Sequence, residues 1–73
     1  MMRSNEIDSN AAKKVFESYG IEIQTEGDVD FFNRYNSSTD EVYPVFVDLT
    51  DPKDVANKLN ISVETLYEEL SEL

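Results

Sequence analysis

Glutamates recur at helical spacing near the end of the chain. Glu64, Glu68 and Glu72 are four residues apart, so on a helix they form one row. Successive carboxylates in such a row rise about 6 Å along the axis, because each residue rises ~1.5 Å. That separation is of the same order as the spacing of phosphates along a nucleic-acid strand. The row could therefore take the place of phosphates on a basic surface, and a plain solvated helix face is the alternative interpretation.

The same row is unfavourable for the helix that carries it. Like charges four residues apart destabilise a helix by roughly 0.2–0.5 kcal/mol per pair. Glu72 also lies near the negative end of the helix dipole. A local rule that is broken without visible compensation indicates a functional requirement.

Other residues extend this candidate surface. Asp40 and Glu41 add carboxylates near the third predicted strand, although solvation of a loop is the favoured reading of these two. Tyr67 lies at the edge of the acidic helix, and half-buried tyrosine is typical of cores and of interfaces. The predicted partner-binding set is Glu64, Glu68, Glu69, Glu72, Tyr67, Asp40 and Glu41.

Chemistry of other kinds is not predicted. The chain has no cysteine and no histidine, so the commonest general base and the commonest metal ligands are missing. Glu26, Asp28 and Asp30 alternate around a predicted turn, but they lack the spacing of a calcium-binding loop. We therefore expect no catalytic residue, no metal and no cofactor, and the protein is predicted not to be an enzyme.

The balance of charge restricts the partners. Sixteen acidic residues face six basic ones in 73 residues, a net charge of −10. Nucleic acid and the anionic leaflet of a membrane would both repel this charge. Basic surfaces would attract it, and these are commonest on nucleic-acid-binding proteins, including nucleases; acidity that serves only solubility is the alternative. No apolar run approaches the ~20 residues of a membrane span, so we expect a cytoplasmic protein, in the cytoplasm of a host cell if its gene is carried into one.

The elements that must position these residues follow from the apolar pattern. We expect a flexible segment at 1–7 and a single α+β domain at 8–73. Its first helix should begin after a cap at Ser9 or Asn10 and end at Gly20, which suits a left-handed position. Three antiparallel strands are predicted at 21–25, 29–35 and 42–49, with a short helix at 30–35 as the alternative for the second. Two further helices, in a helix-turn-helix-like arrangement, complete the chain.

The predicted core is mainly aromatic and aliphatic. Ala12, Val15, Phe16 and Tyr19 share one stripe of the first helix. Val63, Leu66, Leu70 and Leu73 form the buried stripe of the last helix. The core is predicted to hold all four phenylalanines: Phe16, Phe31, Phe32 and Phe46. Pro44 cannot donate to a ladder, so it is expected on an edge strand or at a bulge.

Residues 52–73 resemble the helix-turn-helix of bacterial DNA-binding proteins. Asn60 stands where a left-handed residue makes the turn, Ile61 and Leu66 fill the angle between the helices, and Ser62 caps the second helix. The resemblance implies a local fold. It does not carry over the reading of bases, because the second helix is acidic and no Lys or Arg follows Lys58.

The whole chain also resembles, in layout and charge, the phage-encoded anti-CRISPR proteins that mimic DNA. That resemblance implies an inhibitor that blocks the site where a CRISPR nuclease reads the short motif beside its target. Two other functions stay open. One is a transcriptional regulator that keeps the helix-turn-helix but binds DNA as a dimer through another face; Lys13, Lys14 and Arg34 are the only basic residues that could cluster there, and they are too few to offset −10. The other is a protein-interaction module, such as an antitoxin or adaptor, with Tyr67 or Tyr43 at the centre of an apolar patch. The protein is expected to be a monomer or a dimer.

Overall fold

The computed structural model describes residues 6–73 and contains three helices and one three-stranded antiparallel sheet. The elements in chain order are α1 (Ser9–Ser18), β1 (Gln24–Glu26), β2 (Val29–Asn36), β3 (Glu41–Val47), α2 (Pro52–Leu59) and α3 (Val63–Ser71). The α+β fold class and the predicted order of helix, sheet and two helices are confirmed. None of the helices in residues 6–73 is long and apolar enough to span a bilayer.

Helix α1 begins one or two residues earlier than predicted. Asp8 is the N-cap, and its carboxylate accepts the backbone N–H of Ala11 at 3.3 Å; the predicted caps, Ser9 and Asn10, both lie inside the helix. The end of the helix is as expected, because Gly20 has φ +79°. The next backbone N–H, that of Ile21, donates back to the carbonyl of Phe16 at 2.9 Å.

This return to the helix end shortens the first strand. The predicted strand at 21–25 is wrong in its first half, since β1 covers only Gln24–Glu26 and pairs with β2 over those three residues. Because the Ile21 N–H is hydrogen-bonded to α1, the chain begins to pair with β2 only at Gln24. Ile21 and Ile23 are partly buried against the core instead. A two-residue turn follows, with Gly27 at φ +62°, a position that favours glycine.

The long hairpin of β2 and β3 is the main body of the sheet. β2 is a strand throughout Val29–Asn36, so the alternative of a short helix there is wrong. It lies between the other two strands, in the order β1-β2-β3. β3 is therefore an edge strand, as Pro44 predicts. The third strand was predicted to reach Leu49 but ends at Val47.

The helices cover one face of the sheet. Phe32 of β2 contacts Phe16 of α1, with ring centroids 5.6 Å apart. The buried core is Ala12, Val15, Phe16, Phe32, Val47, Leu49, Val55, Ala56, Leu59 and Leu66. Three predicted core residues are exposed instead: Phe46 is 58% exposed, Leu73 is 61% exposed, and Tyr19 is 40% exposed. Val63 and Leu70, also predicted in the core, are partly buried against it. Phe31 is only partly buried. Phe31 and Phe46 lie on the other face of the sheet, and Leu73 follows the end of α3.

Of the segment predicted to be flexible at 1–7, residues 1–5 lie outside the described residues. Ile7 lies within them. Its backbone N–H donates to the carbonyl of Thr50 at 3.0 Å, and its side chain packs against the core.

Helices α2 and α3 meet through a tight connection that follows the predicted pattern. Asn60 has φ +61° and ψ +41°, which is the left-handed conformation. Ser62 then caps α3 by accepting the N–H of Thr65 at 3.0 Å. Asp51 caps α2 by accepting the N–H of Lys53 at 3.0 Å, with Pro52 in the first turn. Asp54, in the first turn of α2, accepts the N–H of Asp48 at 2.7 Å and so ties α2 to the end of the sheet.

The left-handed backbone at Asn60 makes a matched pair of substitutions informative. Asn60→Ala should lower the free energy of unfolding by about 1 kcal/mol, because a Cβ without a compensating polar group is strained at positive φ. Asn60→Gly should leave stability within about 0.5 kcal/mol of the parent, since glycine accepts this conformation. Urea denaturation followed by circular dichroism checks both. Equal losses for the two variants would contradict a backbone origin.

Candidate protein-binding face

Helix α3 presents three carboxylates to solvent. Glu64, Glu68 and Glu72 are all exposed. With 3.6 residues per turn, Glu64 and Glu68 lie on the side of α3 opposite Leu66 and Leu70, and Glu72 is the C-cap residue that directly follows the helix. We call these three glutamates the acidic face. Within residues 6–73, none of their carboxylates has a hydrogen bond or an ion pair. The predicted row therefore stands free of partners within the domain.

The position of the acidic face is fixed from behind by the core. Leu66 is completely buried, and Val63 and Leu70 pack partly against the core beside it. These residues hold α3 against α1 and α2. The Ser62 cap fixes the beginning of the helix. Because the buried side is anchored, the opposite side has a defined direction in the fold.

Glu69 belongs to a different environment from the acidic face. The hydroxyl of Tyr19 donates to its Oε2 at 2.5 Å, which joins α1 to α3 across 50 residues of sequence. This hydrogen bond, together with desolvation and the charge of Glu69, raises the pKa of Tyr19 above its usual value. Glu69 therefore contributes to the helix packing of the domain as well as to its acidity.

The raised pKa of Tyr19 predicts a pH dependence of stability. The folded-state pKa lies above the unfolded one, so the stabilisation is complete below the unfolded pKa of about 10 and is lost as pH rises through the folded value. Tyr19→Phe should therefore lower stability slightly at neutral pH and show a shallower loss above pH about 10. Thermal unfolding across alkaline pH measures this. Tyr43→Phe is the control, because the Tyr43 hydroxyl has no hydrogen bond within residues 6–73. Identical alkaline profiles for the two variants would count against the contact.

The other predicted site residues are not gathered around α3. Asp40 and Glu41 lie where the β2–β3 hairpin turns, and Asp40 has φ +58°. The hydroxyl of Tyr35 donates to Asp40 Oδ1 at 2.5 Å, a bond that raises the pKa of Tyr35. Helix α3 packs mainly on α1 and α2. The predicted set thus divides into the acidic face, with Glu69 and the half-exposed Tyr67 on the same helix, and a separate acidic hairpin turn.

Positive charge is concentrated elsewhere, at the end of α2. Lys58 forms an ion pair with Asp54 at 2.5 Å. The guanidinium of Arg34 donates to the Lys58 carbonyl at 3.4 Å and lies 5.4 Å from the Phe32 ring centre. Burial by itself raises the pKa of Asp54. The hydrogen bonds from Lys58 and from the Asp48 N–H, together with the charge of Lys58, lower this pKa by more, so the net shift is downward. Arg34 is therefore joined to α2, whereas Lys13 and Lys14 lie on α1.

Metal binding finds no support in the arrangement of the acids. Within residues 6–73, no cluster of three or more metal-ligating side chains could hold an ion. Of the three acids around the first turn, Asp30 accepts a hydrogen bond from the Thr25 hydroxyl at 2.5 Å. That contact links β1 to β2, which is a structural role.

A further surface was missed by the sequence reasoning. Residues on the side of the sheet away from the helices are apolar and largely uncovered; we call them the outer sheet face: Val29, Phe31, Tyr35, Val42, Pro44 and Phe46. Their register brings them together, since Phe31 pairs with Phe46 and Tyr35 pairs with Val42. The available signal was the alternation in β3, where Val42, Pro44 and Phe46 are spaced by two residues.

Comparisons of the chain with protein-family models, with curated proteins and with solved structures find no match. The resemblance to DNA-mimicking anti-CRISPR proteins therefore remains a prediction from layout and charge.

Proposed function

We propose that the protein binds the basic nucleic-acid-binding surface of another protein and thereby excludes nucleic acid from it. The observation that supports this is the acidic face, whose three carboxylates are exposed and unpaired within residues 6–73. A nuclease with a basic groove is the class of partner that this chemistry suits, and an anti-CRISPR role is one form of the proposal.

Electrostatics favour a fast and salt-sensitive complex. A net charge of −10 raises the rate of encounter with a basic partner at low ionic strength. Exposed charges are screened over about 8 Å in physiological salt, so affinity should fall as salt rises. The same charge disfavours the alternative of a DNA-binding regulator, because Lys13, Lys14 and Arg34, the basic residues that it would use, are too few to offset −10 and are divided between α1 and β2.

The experiment is a capture of partners from nuclease-treated lysate on immobilised protein, at low and at high salt. A captured nucleic-acid-binding protein is purified and titrated with the protein in the presence of labelled DNA. We expect the protein and the DNA to compete for it. The variant with Glu64→Gln and Glu68→Gln should bind at least about tenfold more weakly, since each close charge pair across an interface contributes roughly 1.5 kcal/mol or more.

A matched variant separates position from total charge. Glu17→Gln with Glu22→Gln removes the same two charges from exposed positions off α3, and it should bind within about twofold of the parent. If the two double variants weaken binding equally, the partner responds to the total charge of the protein and the position of the acidic face does not matter. Direct binding of the parent to DNA would favour the regulator and would overturn the proposal.

A further inference from the structure

Both sides of the sheet are apolar, but the helices of residues 6–73 cover only one of them. On the inner side, Phe32 is buried against α1, and Val47 is buried as well. On the outer side, Phe31 and Phe46 contact each other, with ring centroids 6.0 Å apart. No helix of residues 6–73 lies over them, and Phe46, Tyr35 and Val42 are 58%, 58% and 64% exposed. Contiguous exposed apolar groups on a small domain are typical of interaction sites.

The charge around the outer sheet face limits what can cover it. Glu26 pairs with Val29 at one end, and Asp28 follows it in the turn. Asp40 lies at the other end, held by the Tyr35 hydroxyl. Between residues 20 and 52 the one basic residue is Arg34. Its register partner is Tyr43, on the inner side of the sheet. The outer sheet face is therefore apolar in the middle and acidic at both ends.

A shallow groove at the Val29 end continues this pattern. It has a volume of about 450 Å³, with Val29, Phe46 and Val47 among its apolar residues. Its remaining residues are four aspartates: Asp28, Asp30, Asp48 and Asp54. Asp30 and Asp54 are engaged by Thr25 and Lys58. Asp28 has no side-chain partner within residues 6–73, so it is available to a basic group that reaches the groove.

We propose that the outer sheet face is a docking surface for a partner protein that presents an apolar patch flanked by Lys or Arg. Complementarity requires both parts, because the apolar centre excludes a purely basic ligand and the acidic ends exclude a purely apolar or acidic one. A second copy is disfavoured because it would bring two chains of −10 together. Addition of a strand along β3 is disfavoured by Pro44, which lacks a backbone donor.

This surface does not involve α3, so it can be tested apart from the proposed function. The probes are three synthetic octapeptides that alternate Lys with Leu, Lys with Ser, and Glu with Leu. Each is titrated into isotopically labelled protein, and amide chemical shifts locate the contact. The Lys–Leu peptide should perturb residues of β2 and β3. It should bind at least about tenfold more tightly than the Lys–Ser peptide, and the Glu–Leu peptide should not bind.

Variants distinguish the two surfaces. Val42→Thr with Phe46→Thr keeps β-forming residues while removing apolar area, and it should weaken the Lys–Leu peptide about tenfold. Glu64→Gln with Glu68→Gln should leave this affinity unchanged. Shifts confined to α3, or equal affinity for the Lys–Ser peptide, would overturn the proposal. Sedimentation that shows a dimer lost in the threonine variant would also overturn it, by assigning the face to a second copy. The peptide mapping on the parent protein decides the matter even if the threonine variant does not fold.

Discussion

Leu66→Ala is expected to remove most of the stability of the domain. Leu66 is completely buried where α3 meets the core, and truncation of a buried leucine to alanine costs roughly 2–5 kcal/mol. A domain of about 70 residues rarely draws more than ~3–5 kcal/mol from its single core. The variant should therefore be largely unfolded or close to it. Urea denaturation followed by tyrosine fluorescence and far-ultraviolet circular dichroism measures the loss.

Leu73→Ala is the control for this prediction. The heptad-like spacing of Leu66 and Leu73 suggests equal burial, but Leu73 is 61% exposed beyond the end of α3. Its replacement should change stability by less than about 0.5 kcal/mol, as is usual for exposed positions. Comparable losses at the two positions would contradict the described end of the helix and would place Leu73 in the core.

Local features of this fold were predictable because their causes lie within a few residues. The turn between α2 and α3 follows from Asn60, which tolerates positive φ, and from Ser62, which satisfies a free N–H at the start of α3. Gly20 ends α1 for the same local reason. The one misplaced cap, Asp8 instead of Ser9 or Asn10, lies among three residues that are nearly equivalent as caps. Composition alone could not rank them.

The covered side of the sheet was not predictable in the same way. β2 carries Phe31 and Phe32 side by side, so an apolar ring points to each face, and alternation alone does not say which face the helices take. That choice depends on the contact of Phe32 with Phe16, 16 residues earlier. The short β1 has a comparable origin, because the hydrogen bond from Ile21 to Phe16 removes the beginning of the predicted strand from the ladder.

The same distinction between local and distant causes decides which parts of the candidate site could be predicted. Periodicity placed Glu64, Glu68 and Glu72 on one side of α3, and all three are exposed. Periodicity could not reveal that Glu69 accepts a hydrogen bond from Tyr19, or that Asp40 does so from Tyr35. Both contacts depend on elements brought together by the tertiary fold or by a hairpin turn. The carboxylates of the acidic face thus form no hydrogen bond or ion pair inside residues 6–73, unlike those of Glu69 and Asp40.

The two sides of α3 have opposite effects on its stability. Burial of Leu66 stabilises the helix against the core, whereas repulsion between the like charges of the acidic face destabilises it. Glu64 lies in the first turn of α3, where a negative charge is favourable. Neutralising Glu68 alone should therefore raise the free energy of unfolding slightly, because it relieves the repulsion and keeps Glu64, while it reduces binding under the proposed function. A gain in stability together with a loss of binding is the pattern expected of residues retained for function.

Reversal of charge on the acidic face should have the largest effect on binding. Glu64→Lys with Glu68→Lys adds two charges at each position and changes the net charge from −10 to −6. Attraction to a basic partner becomes repulsion at the two positions, so affinity should fall at least about 100-fold, which corresponds to ~2.7 kcal/mol. Stability should change by less than about 1 kcal/mol, because both side chains are exposed. Surface plasmon resonance with the captured partner at two salt concentrations measures the loss, and thermal unfolding checks the fold.

The matched reversal, Glu17→Lys with Glu22→Lys, reaches the same net charge at exposed positions off α3. It should slow association modestly through the long-range field and leave dissociation nearly unchanged, because its lysines lie outside the contact. The α3 reversal should accelerate dissociation as well. If both reversals change only the association rate, and by the same factor, the partner senses the overall charge and the acidic face is an ordinary solvated helix surface. Faster dissociation confined to the α3 reversal would locate the contact at Glu64 and Glu68.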